Sequence, residues 1–285
     1  MRRALIIPPD FTRAHSGAGE LTVILHERLV GRTHVEIMPA LGTHAPMTEA
    51  EREAMFPGIP GGIFRDHDFR AGTARLGEVP ASFIRQVSGG RLDFSIACEL
   101  NRLLLEGGWD RIFSIGQVVP HEVIGIANHN KNIHVGVGGL DMINKTHFLG
   151  AVHGMERIMG RDRSPVRDVL NHADAHIARD LPPVTYLLTV RAREEGRGLV
   201  TRGLFAGEGD ACFLDAARLC RAVNMDLLDR PLKNALSGST LPSSNRRGSA
   251  TRPFTAHAWR WPTAGSSSCS DPASAASGRT RRSIA

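Results

Sequence analysis

Short apolar runs alternate with longer amphipathic segments along most of the chain. Runs of four to eight apolar residues are typical of buried strands, and a period near 3.6 is typical of helices. The pattern predicts strands over residues 4–8, 34–39, 112–119 and 184–191, and helices over residues 20–29, 48–55, 166–177 and 212–223. Thr48, followed three residues later by Glu51, predicts a capping box. We therefore expect an α/β fold with a mixed, largely parallel sheet and flanking helices.

The composition changes near residue 234. Residues 234–285 contain twelve Ser, seven Arg and one acidic residue, and they show neither a helical nor a strand period. We expect a two-domain architecture in which residues 1–190 form an N-terminal domain that carries most of the site. Residues 191–233 would begin an incomplete second domain, and residues 234–285 would form a disordered tail.

Charge and composition exclude several classes of function. The formal net charge is +6, but the tail accounts for all of it, so the balanced body offers no field to attract nucleic acid. No apolar run is long enough to span a membrane, and a cytoplasmic location is expected. The four cysteines lack the spacing of a disulfide framework or zinc ribbon and are predicted to be ordinary thiols.

A polar turn follows the first predicted strand, at the kind of position where ligands bind in open α/β sheets. It contains Asp10, Thr12 and Arg13. A guanidinium can form paired hydrogen bonds with a phosphate or a carboxylate, and a hydroxyl with loop amides can complete such a cradle. A surface turn capped by the Asp10 carboxylate is the alternative interpretation.

Three further segments place basic side chains in polar or Gly-rich surroundings. His44 ends a Gly-Thr-His loop, His121 and Lys131 lie in the polar stretch after the third predicted strand, and His147 follows a Gly-rich run. An imidazole can act as an acid, a base or a metal ligand, although a solvated loop side chain is the alternative. With His129 and His134, these residues also leave open a generic divalent-metal site.

Taken together and in this order, the four segments resemble the nickel-pincer lactate racemase family. Its active site combines an Asp-x-Thr-Arg turn, a Gly-Thr-His loop, a His ten residues before a Lys, and a second His sixteen residues after that Lys. The matching residues here are Asp10, Thr12, Arg13, His44, His121, Lys131 and His147. The resemblance extends over about the first 233 residues.

The resemblance implies a racemase or epimerase of a 2-hydroxy acid that uses a nickel-pincer nucleotide, Ni(II)-pyridinium-3,5-bisthiocarboxylate mononucleotide. Lys131 would carry this cofactor covalently, and His147 would bind the nickel. His44 and His121 would be the two acid/base groups. Asp10, Thr12 and Arg13 would hold the nucleotide phosphate or orient the substrate carboxylate. The implied partners are the small hydroxy acid and the accessory enzymes that synthesise the cofactor and insert nickel.

Two departures from the family pattern qualify this expectation. Residues 127–130 read Ala-Asn-His-Asn where lactate-specific members carry Ser-Gly-Gly, so the substrate need not be lactate. The tail also differs, and codons shifted by one base permit a string that resembles the family's C-terminal segment. We hypothesise a one-base frameshift close to residues 233–236, which would impair activity and which sequencing of the gene tests.

Two other functions are compatible with the residues. One is a His-coordinated divalent-metal hydrolase or lyase, in which Lys131 is only a charge. The other is a non-catalytic remnant that binds small anions through Asp10 and Arg13.

Overall fold

A computed structural model describes residues 1–226 of the chain. The proposed tail and frameshift and the thiol of Cys269 lie outside these residues. The strands are β1 (Arg3–Ile7), β2 (His34–Ile37), β3 (Thr73–Val79), β4 (Ile96–Asn101), β5 (Arg111–Gln117), β6 (Pro120–His121), β7 (Gly125–Ile126), β8 (Val184–Glu194) and β9 (Gly198–Gly207). The α-helices are α1 (Ala18–Leu29), α2 (Glu49–Met55), α3 (Ala81–Val87), α4 (Arg102–Glu106), α5 (Asn130–His134), α6 (Leu140–His153), α7 (Met155–Ile158), α8 (Pro165–His176) and α9 (Asp210–Asn224).

Five strands form the central sheet in the order β2-β1-β5-β8-β9. The first four are parallel, and β9 runs antiparallel to β8. Leu5 and Ile7 of β1 face one buried cluster, whereas Ala4 and Ile6 face another, so both faces of the sheet are covered. Burial on both faces explains why β1 is a continuous apolar run. The expected α/β fold with a mixed, largely parallel sheet is confirmed.

The predicted elements are present with boundaries shifted by a few residues. Thr48 caps α2: its hydroxyl accepts from the Glu51 amide at 3.2 Å, and the Glu51 carboxylate accepts from the Thr48 amide at 2.9 Å. The predicted capping box is therefore confirmed. Helix α8 begins with Pro165 after the capping residue Ser164, whose hydroxyl accepts from the Arg167 amide.

A smaller layer lies beside the central sheet and was not predicted. The antiparallel strands β3 and β4 pack with α3, α6 and α8 around a third apolar cluster that includes Ile84, Ile96, Leu149 and Val169. In this layer α6 packs against β4. Within residues 1–226, every helix is too short or too polar to cross a lipid bilayer.

The segment containing Asn144 and His147 follows the Gly-rich run and was not predicted to be a helix. The segment lies inside the fourteen-residue helix α6. Asp141 in its first turn accepts from the Ala97 amide and pairs with Lys145, which ties the helix to β4. The boundary predicted at residue 190 falls within β8, while the proposed division into domains stays a prediction.

Candidate active site

The polar turn after β1 forms one wall of the candidate site. Asp10 caps a short 3-10 helix (Phe11–Ser16) by accepting from the Thr12 amide at 3.2 Å, and its carboxylate also accepts from the Thr12 hydroxyl. The carboxylate of Asp10 is almost fully buried, whereas Arg13 is exposed. The turn therefore presents a cation toward solvent and keeps the acid inside.

Asp10 contacts His44, which the loop after β2 brings to the same edge of the sheet. The His44 Nδ1–H donates to Oδ2 of Asp10, and half of the imidazole surface remains exposed. This hydrogen bond raises the pKa of His44 above its usual value, against the opposing effect of partial burial. Burial alone would raise the pKa of Asp10, but the bonds from His44 and Thr12 lower it overall. The imidazolium form of His44 is thus stabilised.

His121 has the opposite environment. It lies on β6, where the Val123 amide donates to its Nδ1 at 3.1 Å. Burial, followed by the nearby positive charges of Lys131 and Arg13, lowers the pKa of His121 well below its usual value. His121 is therefore neutral at pH 7, and the bond from Val123 assigns its proton to Nε2.

Lys131 lies on α5, between two buried asparagines. Asn132 donates to the Ile7 carbonyl at 3.1 Å and to the Ser114 hydroxyl at 3.0 Å, which fixes the helix over β1 and β5. Burial, together with the charges of Arg13 and Arg167, lowers the pKa of Lys131 to about 8. Among the described residues, nothing forms a hydrogen bond with its amine. With this pKa, roughly a tenth of the amine is neutral and nucleophilic at pH 7.

His147 projects from α6 with one nitrogen already engaged. Its Nδ1–H donates to the Ile143 carbonyl at 2.6 Å, which leaves the lone pair on Nε2. Burial lowers the pKa of His147, although the bond to Ile143 opposes this effect. A neutral imidazole whose second nitrogen is fixed by a backbone carbonyl is the usual state of a metal-ligating histidine.

Electrostatic interactions connect these side chains into one site. The charge of Lys131 acts on His44, His121 and His147, and the charge of Arg13 acts on Lys131 and both catalytic candidates. Asp10, Thr12 and Arg13 adjoin His44 through the Asp10 carboxylate. Hydrogen bonds thus join Asp10, Thr12, Arg13 and His44, whereas His121, Lys131 and His147 are connected to this group and to one another through electrostatic interactions.

Two other histidines considered for a metal site lie elsewhere. His129 is buried between the rings of Tyr186 and Phe213, with centroids at 4.1 and 5.1 Å. His134 is fully buried, and its Nε2 lies 2.6 Å from Oδ1 of Asp174. In the part of the chain that the structure describes, no group of three or more His, Cys, Asp or Glu side chains could hold a metal ion by itself.

Sequence reasoning missed a set of polar residues that contact the helix of Lys131, of which Arg167 is buried. Arg167, Asn171 and Asp174 project from α8 toward α5. These three residues are spaced four and three positions apart, so they lie on one face of a helix whose other buried positions are apolar. This spacing could have indicated their role from the sequence. A polar stripe on such a helix indicates polar groups opposite it, because buried polar atoms require partners.

The comparison with known families now adds to this geometry. The sequence model described as the lactate racemase N-terminal domain matches residues 1–159, more than half of the chain. The chain belongs to this family. No curated protein matches the sequence.

Solved structures support the fold of this lactate racemase family member. A crystal structure of a protein from Thermotoga maritima is 28% identical and superposes with a TM-score of 0.71 over 81% of this chain and 57% of that one. The lactate racemase apoprotein from Thermoanaerobacterium thermosaccharolyticum is 19% identical, with a TM-score of 0.56 over 79% of this chain and 50% of that one. The chain thus spans 50–57% of the length of these two relatives.

Proposed function

We propose that this lactate racemase family member is a racemase or epimerase of a 2-hydroxy acid that works by reversible hydride transfer to a nickel-pincer nucleotide. The observation that carries the proposal is a set of four groups linked by electrostatic interactions through Lys131. They are a nucleophilic amine on Lys131, an imidazole with a free nitrogen on His147, and two histidines, His44 and His121, whose pKa values are shifted in opposite directions.

The residues present fit such a cofactor. Lys131 offers an amine whose lowered pKa leaves a nucleophilic fraction for a covalent bond, and His147 offers Nε2 as a ligand of a type that suits nickel. When bound, the cofactor supplies a hydride acceptor, so the net reaction is an isomerisation. A metal held by protein side chains alone is the less favoured alternative, because residues 1–226 contain no cluster able to hold it.

The two histidines would act on the substrate hydroxyl in different ways. His44 is backed by a buried carboxylate that stabilises its imidazolium form, so neutral His44 would accept the hydroxyl proton when the substrate is oxidised and return it when the substrate is reduced. His121 is neutral and presents Nε2–H, so it would donate a hydrogen bond to the same oxygen. Opposite pKa shifts in one site are typical of an acid/base pair.

Arg13 would bind an anion in this site. Its guanidinium suits the substrate carboxylate or a nucleotide phosphate, and Thr12 lies beside it, with the guanidinium 3.5 Å from its hydroxyl. The Asp10 carboxylate is engaged by Thr12 and His44, and a second anion beside it would be repelled. We therefore assign anion binding to Arg13, assisted by Thr12, and the orientation of His44 to Asp10.

The test is racemisation by the full chain after co-expression with enzymes that make the cofactor and insert nickel. The assay uses a panel of 2-hydroxy acids that includes lactate. A single substrate is not enough, because residues 127–130 read Ala-Asn-His-Asn and the substrate need not be lactate. The proposal is supported if the wild-type chain inverts at least one of these acids and a chain in which Lys131 is replaced does not. No inversion by a chain that carries nickel and the covalent adduct would contradict it. The cytoplasmic location and the accessory partners stay predictions.

A further inference from the structure

The loop that leads into Lys131 has an unusual backbone. Asn128 and His129 are the two non-glycine residues of the described chain with positive φ, 71° and 60°. Such conformations are disfavoured for residues with a Cβ and persist only where the surroundings impose them. The helix that follows, α5, has only five residues and cannot hold its own orientation. The direction of the Lys131 side chain must therefore be imposed from outside.

Arg167 supplies the strongest external contacts. Its guanidinium donates to the Ile126 carbonyl at 2.6 Å, to the Asn128 carbonyl at 3.2 Å and to Oδ1 of Asn130 at 2.5 Å. The guanidinium is buried and lies 4.4 Å from the ring centroid of Phe213. One rigid planar group thus fixes three points of the loop immediately before Lys131.

Two neighbours on α8 complete the contact with α5. The Asn130 side-chain amide donates to Asn171 at 2.8 Å and to Asp174 at 2.7 Å. Asp174 also accepts from His134 at the other end of α5. Residues on both sides of Lys131 are therefore tied to the same face of α8.

We propose that Arg167, assisted by Asn171 and Asp174, is the positioning residue that directs the Lys131 amine into the site beside Arg13. The inference rests on the proposed function only in taking Lys131 as the point of covalent attachment. It assigns to α8 a role in the reaction although the helix itself need not touch substrate or cofactor. The guanidinium acts through the geometry of its three bonds, so a lysine at position 167 cannot replace it.

The chain contains only three lysines, Lys131, Lys145 and Lys233, which makes site-directed labelling decisive. Pyridoxal 5′-phosphate is the probe, because its phosphate can bind Arg13 while its aldehyde reaches Lys131. The amine and the aldehyde form an imine with loss of water, and borohydride reduces the imine to a stable secondary amine. Peptide mass spectrometry then gives the ratio of labelled Lys131 to labelled Lys145, which is paired with Asp141 and serves as the internal reference.

The full wild-type chain, without cofactor, should label Lys131 at least about tenfold faster than Lys145. Arg167→Met and Arg167→Lys should both bring this ratio close to one, and Arg218→Met, at an exposed arginine paired with Asp215, should leave it unchanged. Formaldehyde with cyanoborohydride, a small probe that needs no orientation, should still methylate Lys131 in both Arg167 variants. That result would show that the Lys131 amine remains accessible in these variants and has only changed its direction.

A ratio that stays high in Arg167→Lys or Arg167→Met would overturn the inference, as would a wild-type chain without preference for Lys131. If the Arg167 variants do not fold, Asn171→Ala decides it, since it removes one bond to Asn130 and should lower the ratio by a smaller factor. Labelling needs neither nickel nor substrate. A preference that depends on Arg167 in a chain that never acquires the cofactor would therefore contradict the proposed function and leave this inference standing.

Discussion

The Nδ1–H of His44 donates to the buried carboxylate of Asp10, so an acid from the turn after β1 orients an imidazole from the loop after β2. The contact joins positions 34 residues apart in sequence. It is possible because β1 and β2 are parallel neighbours, whose carboxyl ends lie at the same edge of the sheet. The contact also raises the pKa of His44, whereas the pKa of His121 is lowered. The effect of each histidine on the reaction can be measured separately.

Replacing Asp10 by Asn should lower the pKa of His44. The carboxylate stabilises the imidazolium form, and its removal leaves burial and the charges of Arg13 and Lys131, all of which favour the neutral form. NMR titration of the His44 ring protons in wild-type and Asp10→Asn chains measures the change. A midpoint that is the same in both chains, or that rises in the variant, would show that Asp10 does not control the protonation of His44.

Replacing either candidate acid/base group should slow racemisation strongly. We expect His44→Gln and His121→Gln each to lower kcat by about 10²-fold or more, the usual contribution of a general acid or base. The control is His34→Gln, because His34 is as exposed as His44 but pairs with Glu36 away from the site. If racemisation is equally fast in the His34→Gln and His121→Gln variants, His121 does not act as an acid or base in the reaction.

The pair formed by the buried His134 and the partly exposed Asp174 should make stability depend on pH. Burial opposes protonation of His134, but the bonds with Asp174 and Cys98 raise its pKa to about 10. A raised pKa gives stabilisation that is complete below the unfolded value of about 6.5 and is lost as the pH rises toward about 10. Urea denaturation at pH 7 and pH 10 should show this loss in the wild-type chain.

Asp174→Asn supplies the matched comparison. Because the Asp174 side chain is 37% exposed, we expect a cost of about 1–3 kcal/mol at pH 7, below the usual cost of breaking a fully buried pair. Its stability should change less than that of the wild-type chain between pH 7 and pH 10. If stability depends on pH equally in both chains, the pair of His134 and Asp174 is not the cause of that dependence.

Replacing His147 should separate nickel binding from covalent attachment. His147→Ala removes the proposed ligand nitrogen but leaves the Lys131 amine in place, so nickel content should fall at least about tenfold while the adduct on Lys131 persists. Elemental analysis and intact mass measure the two quantities on one sample. His153→Ala, at the end of the same helix, is the control. Nickel retained at the wild-type level in His147→Ala would exclude this residue as the ligand.

The central sheet could be predicted because its strands are apolar runs buried on both faces, and Thr48 with Glu51 marked one helix start unambiguously. The site residues could be selected because their order and spacing resemble those of a known family. Helix α6 was missed because Gly138 and Gly139 precede it and polar residues occupy its middle. Neither feature prevents a helix when Asp141 bonds to β4 and Lys145 bonds to Ser95, the residue before that strand.

The contacts behind the site could not be predicted from local sequence. Asp10 was expected to bind an anion, and nothing in its turn indicated that His44 would occupy its carboxylate. The bonds between Arg167 and residues 126–130 also join distant segments, and they arise only after α8 packs against α5. Long-range pairing of polar groups depends on the tertiary fold, which local patterns do not determine.

The most direct test of the account is the mass and nickel content of the chain after co-expression with the accessory enzymes. We predict one covalent adduct per chain, located on Lys131 by peptide mapping and absent from Lys131→Ala, together with one nickel ion. A chain recovered at its unmodified mass and without nickel, under conditions that load an established lactate racemase, would contradict the central claim.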